Sequence, residues 1–582
     1  MSISDTSKTH TDSTIDTAPV FDAIVVGSGI SGGYAAKELC EQGLATLMIE
    51  RGREVEHRKD YKTEGVPPWQ FDHRGRATRE HTQEQYVQSK VYAYSDATKQ
   101  FFINDKENPY STAAGTQFDW FRGDQLGGKS LLWHRQSYRM SDLDFTANAL
   151  DGHGSDWPIR YSDIAPWYSK VEEFVGISGS YENIEHLPDS VFLPPFEMNA
   201  VEAHLRDKFA DLYPDRPMIV ARAAHLTEPQ EHHKKLGRYQ CQSRDECQKG
   251  CSFGAYFSTQ SATLPAAQAT GNLTVRTDAV VQEVLFDADK GRASGVRIFD
   301  RRTGKTDIYR ANIIFLCAST LATTQIMLNS KSDAFPEGIA NSSGVLGHYL
   351  MDHVQNCSAH GYMSGFDDDY YVGRRPTTTF IPRFRNLESQ QQDYLRGFSF
   401  MAFAKRENYA NLKDKVTGIG GDLKAKLRQP GRWKMSLFGM GEMLPRYDNK
   451  VSLHPTRRDR YGLPELVIDC SFGDNDRKMM QDIASTGEEM LKAAGCDDVV
   501  GIIGDSPPGT AIHEVGTARM GTDPKSSVLN GNHQTHDIPN LFVTDGASWA
   551  SCGWVNPSLT FMAMTARAAN FAGKLYRKQG YI

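Results

Sequence analysis

Four groups of residues in this chain have types and spacings that do chemistry. Gly27-Ser-Gly29-Ile-Ser-Gly32 is a G-x-G-x-x-G run, which lets backbone approach a pyrophosphate and sets it on a helix N-terminus. Gly123-Asp-Gln-Leu-Gly127-Gly128-Lys129-Ser130 satisfies the formula of a phosphate-cradling loop. Cys241, Cys247 and Cys251 place three thiols on one polar, Gly-containing segment, enough for three corners of an iron–sulfur cluster. Their spacing is not a common zinc pattern, and simple buried thiols remain open. His513-Glu514 begins a dense stretch that continues through Asp545-Gly546 to Asn556-Pro557-Ser558-Leu-Thr560. It is not a zinc-protease motif, because its fifth position is Thr517, and an isolated His is most simply a core or loop residue.

These residues act only where elements position them. Phe21–Val26 reads as a buried parallel strand, and Tyr34–Cys40 carries helix formers with apolar residues at helical spacing. A second strand, Ala45–Ile49, ends at Glu50, where a carboxylate can accept ribose hydroxyls and disfavours a 2′-phosphate. This context makes the first glycines a dinucleotide site, without separating FAD from NAD. The 123–130 loop lacks it: Phe118–Arg122 is a poor buried strand, so a P-loop nucleotide hydrolase is a distant alternative. Residues 53–120 are expected to wrap the first domain. Helix is predicted from about 156 to 174, and strands at 273–275, 279–285, 293–298 and 311–318, the last leading into a helix over 320–328. Alternation at 434–440 and 465–469 suggests an antiparallel sheet between 350 and 500, followed by helix at 476–494, a strand at 540–546 and a helix at 558–573.

At 582 residues the chain should form two to four domains, and a net charge of −7 without a convincing basic patch argues against nucleic acid. Residues 1–20 are polar, with no apolar signal core, and read as a disordered tail; no run is long enough for a transmembrane helix. Nine scattered cysteines argue against a disulfide framework.

Taken together, the segments resemble the glucose-methanol-choline (GMC) oxidoreductases, FAD-dependent alcohol dehydrogenases and oxidases. The resemblance rests on the glycines with Glu50-Arg51-Gly52, the Gly127-Gly128-Lys-Ser130 loop, Cys317-Ala-Ser-Thr-Leu-Ala-Thr-Thr-Gln-Ile, Gly347-His-Tyr-Leu-Met-Asp-His353 and the ending from His513. It implies an α/β plus α+β fold. A discontinuous Rossmann-like FAD-binding domain (21–345 and 505–582, with a cysteine insertion at about 237–258) would enclose an antiparallel-sheet substrate domain (346–504). It implies FAD contacts from Gly27, Gly29, Gly32, Glu50, Arg51, Gly127, Gly128, Ser130, Val280, Asp545, Gly546, Asn556, Pro557 and Thr560. It also implies that His513 takes the alcohol proton while hydride moves to flavin N5, and that Asn556 orients the hydroxyl. Some members tether FAD through a His just after the double glycine. Here Leu131-Leu132-Trp133 stands there with His134 beyond, so noncovalent FAD is expected.

The cysteine segment is similar to that of catalytic subunits of membrane-linked bacterial sugar dehydrogenases in this family. That likeness implies a [3Fe-4S] cluster on Cys241, Cys247 and Cys251, a small partner subunit and a cytochrome c acceptor. It also implies a periplasmic location by co-export with the partner, the alternative being a cytoplasmic enzyme. The wording of the last 70 residues looks most like the glucoside 3-dehydrogenase branch, which oxidises the C3 hydroxyl of a sugar or glucoside to a 3-keto sugar. The alternative is an oxidase or dehydrogenase of another polyol or sugar acid. Trp133, Trp549 and Trp554 are candidate stacking surfaces for a pyranose, or core residues.

Overall fold

The structure, a computed structural model, describes residues 20–355, 357–367, 375–407, 416–429 and 431–579. The expected disordered tail therefore lies outside the described residues, apart from Val20 at the start of the first strand.

Val20–Val26 sits inside a parallel sheet because its second half, Ala23 to Val26, is apolar on both faces and can be buried on both. It pairs with Thr46–Ile49 on one side and Thr306–Leu316 on the other. Leu273–Arg276 and Leu541–Val543 extend the sheet, again in parallel. The first half of Thr306–Leu316 leaves this set and forms an antiparallel meander with Arg292–Asp300 and Ala279–Asp287. Strand 541–543 thus completes a sheet begun by strand 20–26, and the two ends of the chain share one core.

Two helices reinforce that closure. Ile30–Glu41 and Ser558–Gln579 pack together, and the Gln42 amide at the end of the first donates to the Ala569 carbonyl (3.2 Å). Tyr161–Val175 covers the other side of Ser558–Gln579, with the Tyr168 hydroxyl 2.7 Å from Thr560 Oγ1.

The second large sheet is antiparallel, in the order Asp497–Ile503, Cys357–Met363, Trp433–Glu442, Phe398–Arg406, Thr379–Ile381 and Ile219–Val220. Helix Asp474–Ala493 lies on one face, where Gly439 and Gly441 leave room for Ile483 and Met479; a Cβ at either glycine would overlap them. Phe398, Phe400, Ala402 and Ala404 are buried in the core on that side. The intervening Met401, Phe403 and Lys405 face the opposite way, as the period of two requires.

One strand departs from the sequence expectation. Pro464–Asp469 is not part of the large antiparallel sheet but pairs with Lys450–Arg458 and Ser111–Thr112 in a separate small sheet. Leu466 and Ile468 join the core that also holds Ile24 and Ile49. Conversely, Ile219–Val220 enters the large antiparallel sheet from far upstream. That layer is therefore not one contiguous stretch of chain.

Candidate active site

A single cavity of about 970 Å³ runs between the two sheets. At one end lies the glycine turn, where each glycine answers a different need. Gly27 has φ +95° and its missing Cβ leaves space for the Cys317 carbonyl; a Cβ at Gly32 would overlap the Gly27 carbonyl. Gly29 faces open space within the cavity, which leaves its backbone free for a ligand.

Glu50 closes this end. Its Oε2 accepts from the Ser28 hydroxyl (2.5 Å) and Ser28 N–H (3.2 Å), and its Oε1 from Gly52 N–H (2.8 Å). Burial raises its pKa above the usual carboxylate value. Ser28 Oγ also accepts from Gly127 N–H (2.7 Å), which fastens the double-glycine loop to the dinucleotide turn. Gly127 has φ +88°, and a Cβ there would overlap the Gln260 amide. The loop continues into a short 3₁₀ turn, Gly128–Leu131, rather than the helix a phosphate-cradling loop needs.

Elsewhere on the cavity wall His513 Nε2 lies 3.4 Å from Asn556 Nδ2. The turn before His513 holds Ile512 at φ +63°, an uncommon conformation for a β-branched residue. Asp352 imposes it: its buried carboxyl accepts from Gly509 N–H (2.7 Å), Ala511 N–H (3.1 Å) and His513 N–H (3.0 Å). Burial, then the nearby Glu514, pushes Asp352 up to about 7. The adjacent His353 meets the His513 ring edge to face, with centroids 4.8 Å apart. Burial holds His513 well below the ordinary imidazole value, helped by His353 and Lys129, so the ring is neutral at neutral pH. Lys129 pairs with Glu514 (3.2 Å), linking the double-glycine loop to the residue beside His513.

The cavity wall includes His513, Asn556, Pro557, Gly27, Gly29, Glu50, Arg51, Gly128, Ser130, Val280, Asp545 and Gly546. Asp545 accepts from Thr323 Oγ1 (2.5 Å) and Ala547 N–H (3.0 Å), and burial raises it to about 6. Gly32, Gly127 and Thr560 stand behind the wall, the first two shaping it and Thr560 bonded to Tyr168. Trp549 and Trp554 are fully buried and unavailable for stacking, whereas Trp133 and His134 border the cavity. The sequence by itself gives no role to Ser28, Asp352, His353 or Glu514; all four stand inside the motifs named above, and that is their one signal.

Cys241, Cys247 and Cys251 are free and border one small pocket with His225, Arg244 and Tyr256. Burial raises the Cys247 thiol to about 11, with added contributions from Cys241 and Cys251. Cys247 also borders the main cavity. Among the described residues no group of three or more His, Cys, Asp or Glu is arranged to hold a metal ion.

Comparison with known proteins agrees with this layout. The amino-terminal and carboxy-terminal GMC oxidoreductase profiles match residues 21–355 and 445–565, and the chain belongs to that family of FAD-binding oxidoreductases acting on alcohol groups. It is 27% identical to a 2-methyl-1,2-propanediol dehydrogenase of Mycolicibacterium austroafricanum, over 95% of both chains. It is 25% identical to the fructose dehydrogenase large subunit of Gluconobacter japonicus, over 94% of this chain and 97% of that one. Its fold matches the crystal structure of pyridoxine 4-oxidase from Mesorbium loti with a TM-score of 0.60 at 16% identity, covering 96% and 99% of the two chains.

The residues present fit FAD. Open backbone at Gly29 can face a diphosphate, Glu50 sits at the end of its strand where a ribose would lie, and the cavity is long enough to join both to His513.

Proposed function

We propose that this chain is an FAD-dependent dehydrogenase that oxidises a secondary hydroxyl of a sugar or glucoside, at C3, to the 3-keto product. The observation that carries the reading is the His513–Asn556 pair at the cavity wall, with His513 Nε2 and Asn556 Nδ2 3.4 Å apart. An alcohol oxygen at this pair accepts from the Asn556 amide and donates its proton to His513 Nε2. The imidazole is ready for that proton because burial keeps it neutral. FAD, when bound, supplies the two-electron acceptor for the hydride leaving the same carbon. Asp352 keeps the base fixed through the main chain, and the Lys129–Glu514 pair holds the adjoining loop.

The sugar substrate is supported by the likeness to a fructose dehydrogenase subunit and by the glucoside-3-dehydrogenase-like wording of the carboxy-terminal motifs. The likeness to a propanediol dehydrogenase favours the second reading, a polyol dehydrogenase. The electron acceptor in our reading is external. Three thiols bordering one pocket would supply three ligands of a [3Fe-4S] cluster. A cluster there would supply a one-electron acceptor at the wall of the main cavity, where Cys247 stands. A small partner subunit, a cytochrome c acceptor and periplasmic co-export complete the proposal.

Anaerobic bleaching of the flavin by a panel of glucosides, sugars, polyols and sugar acids tests it, with the oxidised carbon located by NMR. Glucosides that bleach and yield 3-keto products support the reading; bleaching by small diols alone replaces it with the second. Stoichiometric iron with a low-temperature EPR signal is expected, and iron-free protein after anaerobic purification removes the cluster.

A further inference from the structure

Beyond the reacting pair, the same cavity is floored by the substrate sheet. Along Phe398–Arg406 the residues that line the cavity are Met401, Phe403 and Lys405, and the neighbouring strand adds Phe438 opposite Met401. Phe403 and Phe438 have ring planes within 14° and centroids 5.6 Å apart. The Lys405 ammonium lies 4.3 Å from the Phe403 centroid. Phe438 remains 37% exposed, while the alternating residues of both strands are buried on the other face. A part-exposed pair of nearly parallel rings in a cavity wall is a surface for another flat or C–H-bearing ring.

Its distance from the reacting pair decides which ring. Ser399 Oγ donates to the Trp554 carbonyl (3.2 Å), two residues before Asn556, so this end of the strand packs on the segment that carries Asn556. At a rise of roughly 3.4 Å per residue, Phe403 lies about 14 Å further along than Ser399. One pyranose held at His513 and Asn556 does not span that gap, whereas a substituent on it does.

We propose that Phe403 and Phe438 form a stacking floor for a second ring of the substrate, so that glucosides bearing an aryl or glycosyl ring are preferred to those bearing a small alkyl group. The proposal rests on the sugar reading above.

The test compares kcat/KM of the holoenzyme for phenyl, methyl and hexyl β-glucosides, measured anaerobically with an excess of an artificial electron acceptor that reoxidises the flavin. Phenyl glucoside is expected to exceed methyl glucoside by about tenfold, chiefly through KM, and to exceed hexyl glucoside, which offers apolar bulk without a ring. Phe438→Ala and Phe438→Leu should both bring the phenyl-to-methyl ratio towards one. Flavin absorbance per chain checks folding, and Phe403→Leu replaces any variant that loses FAD. A native ratio near one, a ratio that survives these variants, or hexyl matching phenyl overturns the floor. If no glucoside bleaches the flavin, the sugar reading falls by itself. The same comparison is then made between phenyl-bearing and unsubstituted forms of the alcohol that does, with the same outcomes deciding the floor.

Discussion

His513 illustrates how one side chain becomes a base through its surroundings. In water an imidazole is half protonated near pH 6.5, but here burial disfavours the cation, and His353 and Lys129 add to the effect. In the proposed reaction the neutral ring accepts the alcohol proton, and a lowered pKa keeps it neutral to more acidic pH. The rate of flavin bleaching at saturating substrate should therefore hold as pH falls through 6.5 and drop only below it. An acid limb at or above pH 6.5 would mean that another group is the base. His513→Ala should keep FAD and lose about 10²-fold or more of that rate, with the limb abolished. Asn556→Ala should lose less, since it orients the oxygen rather than taking the proton; an equal or larger loss would reverse the two roles.

At the scale of elements, the 509–513 turn is held by Asp352, the residue just before the short strand His353–Val354. Three N–H groups converge on Asp352, and two acceptor oxygens are needed to receive them. Asp352→Asn offers one carbonyl oxygen and turns an NH₂ group towards the remaining donors, so the turn loses part of its anchor. The expected result is a fall of roughly tenfold in kcat with KM little changed and FAD retained, and Asp352→Glu should not restore it, because the longer carboxyl cannot occupy the same buried site. Unchanged kcat in Asp352→Asn would show that Ile512 and its neighbours hold the turn unaided.

This anchor was also the part of the site least legible in the sequence. The glycine turn could be read because Gly27, Gly29 and Gly32 each satisfy a local demand, next to a strand and helix with clear periodicity. His513 and Asn556 were found through motif resemblance. A carboxylate bonding main-chain groups 157 to 161 positions away leaves no periodic trace. Phe403 and Phe438 meet only through strand pairing, and their alternation looks like any half-buried strand. Pro464–Asp469 was assigned to the wrong sheet for the same reason: its apolar pattern gives strand but not partner.

For the whole molecule, the cavity joins parts of the chain that are otherwise far apart in sequence. Its wall takes residues from the first strand turn, the 128–136 loop, the meander and the carboxy-terminal segment around Asp545 and Asn556. A ligand filling it binds the folded arrangement and not the unfolded chain, so it stabilises all of these parts together by mass action. Glu50 and Asp545 sharpen the expectation, because both are buried carboxyls on this wall. Burial raises both above their ordinary values although each already accepts protein hydrogen bonds on both oxygens, so donors on a ligand would add to bonds already made. Because no His directly follows the double glycine, acid precipitation should release the flavin into the supernatant. Protein stripped of FAD under milder conditions should melt several degrees lower than the holoenzyme. It should recover as added FAD exceeds its Kd, gaining about 2.7 kcal/mol at a hundredfold excess. Both ends of the chain should become protease-sensitive in the stripped protein and protected together on reconstitution. If only the amino-terminal part responds, the carboxy-terminal segment does not help hold the flavin, and the placement of Asp545 and Asn556 at one cofactor site fails.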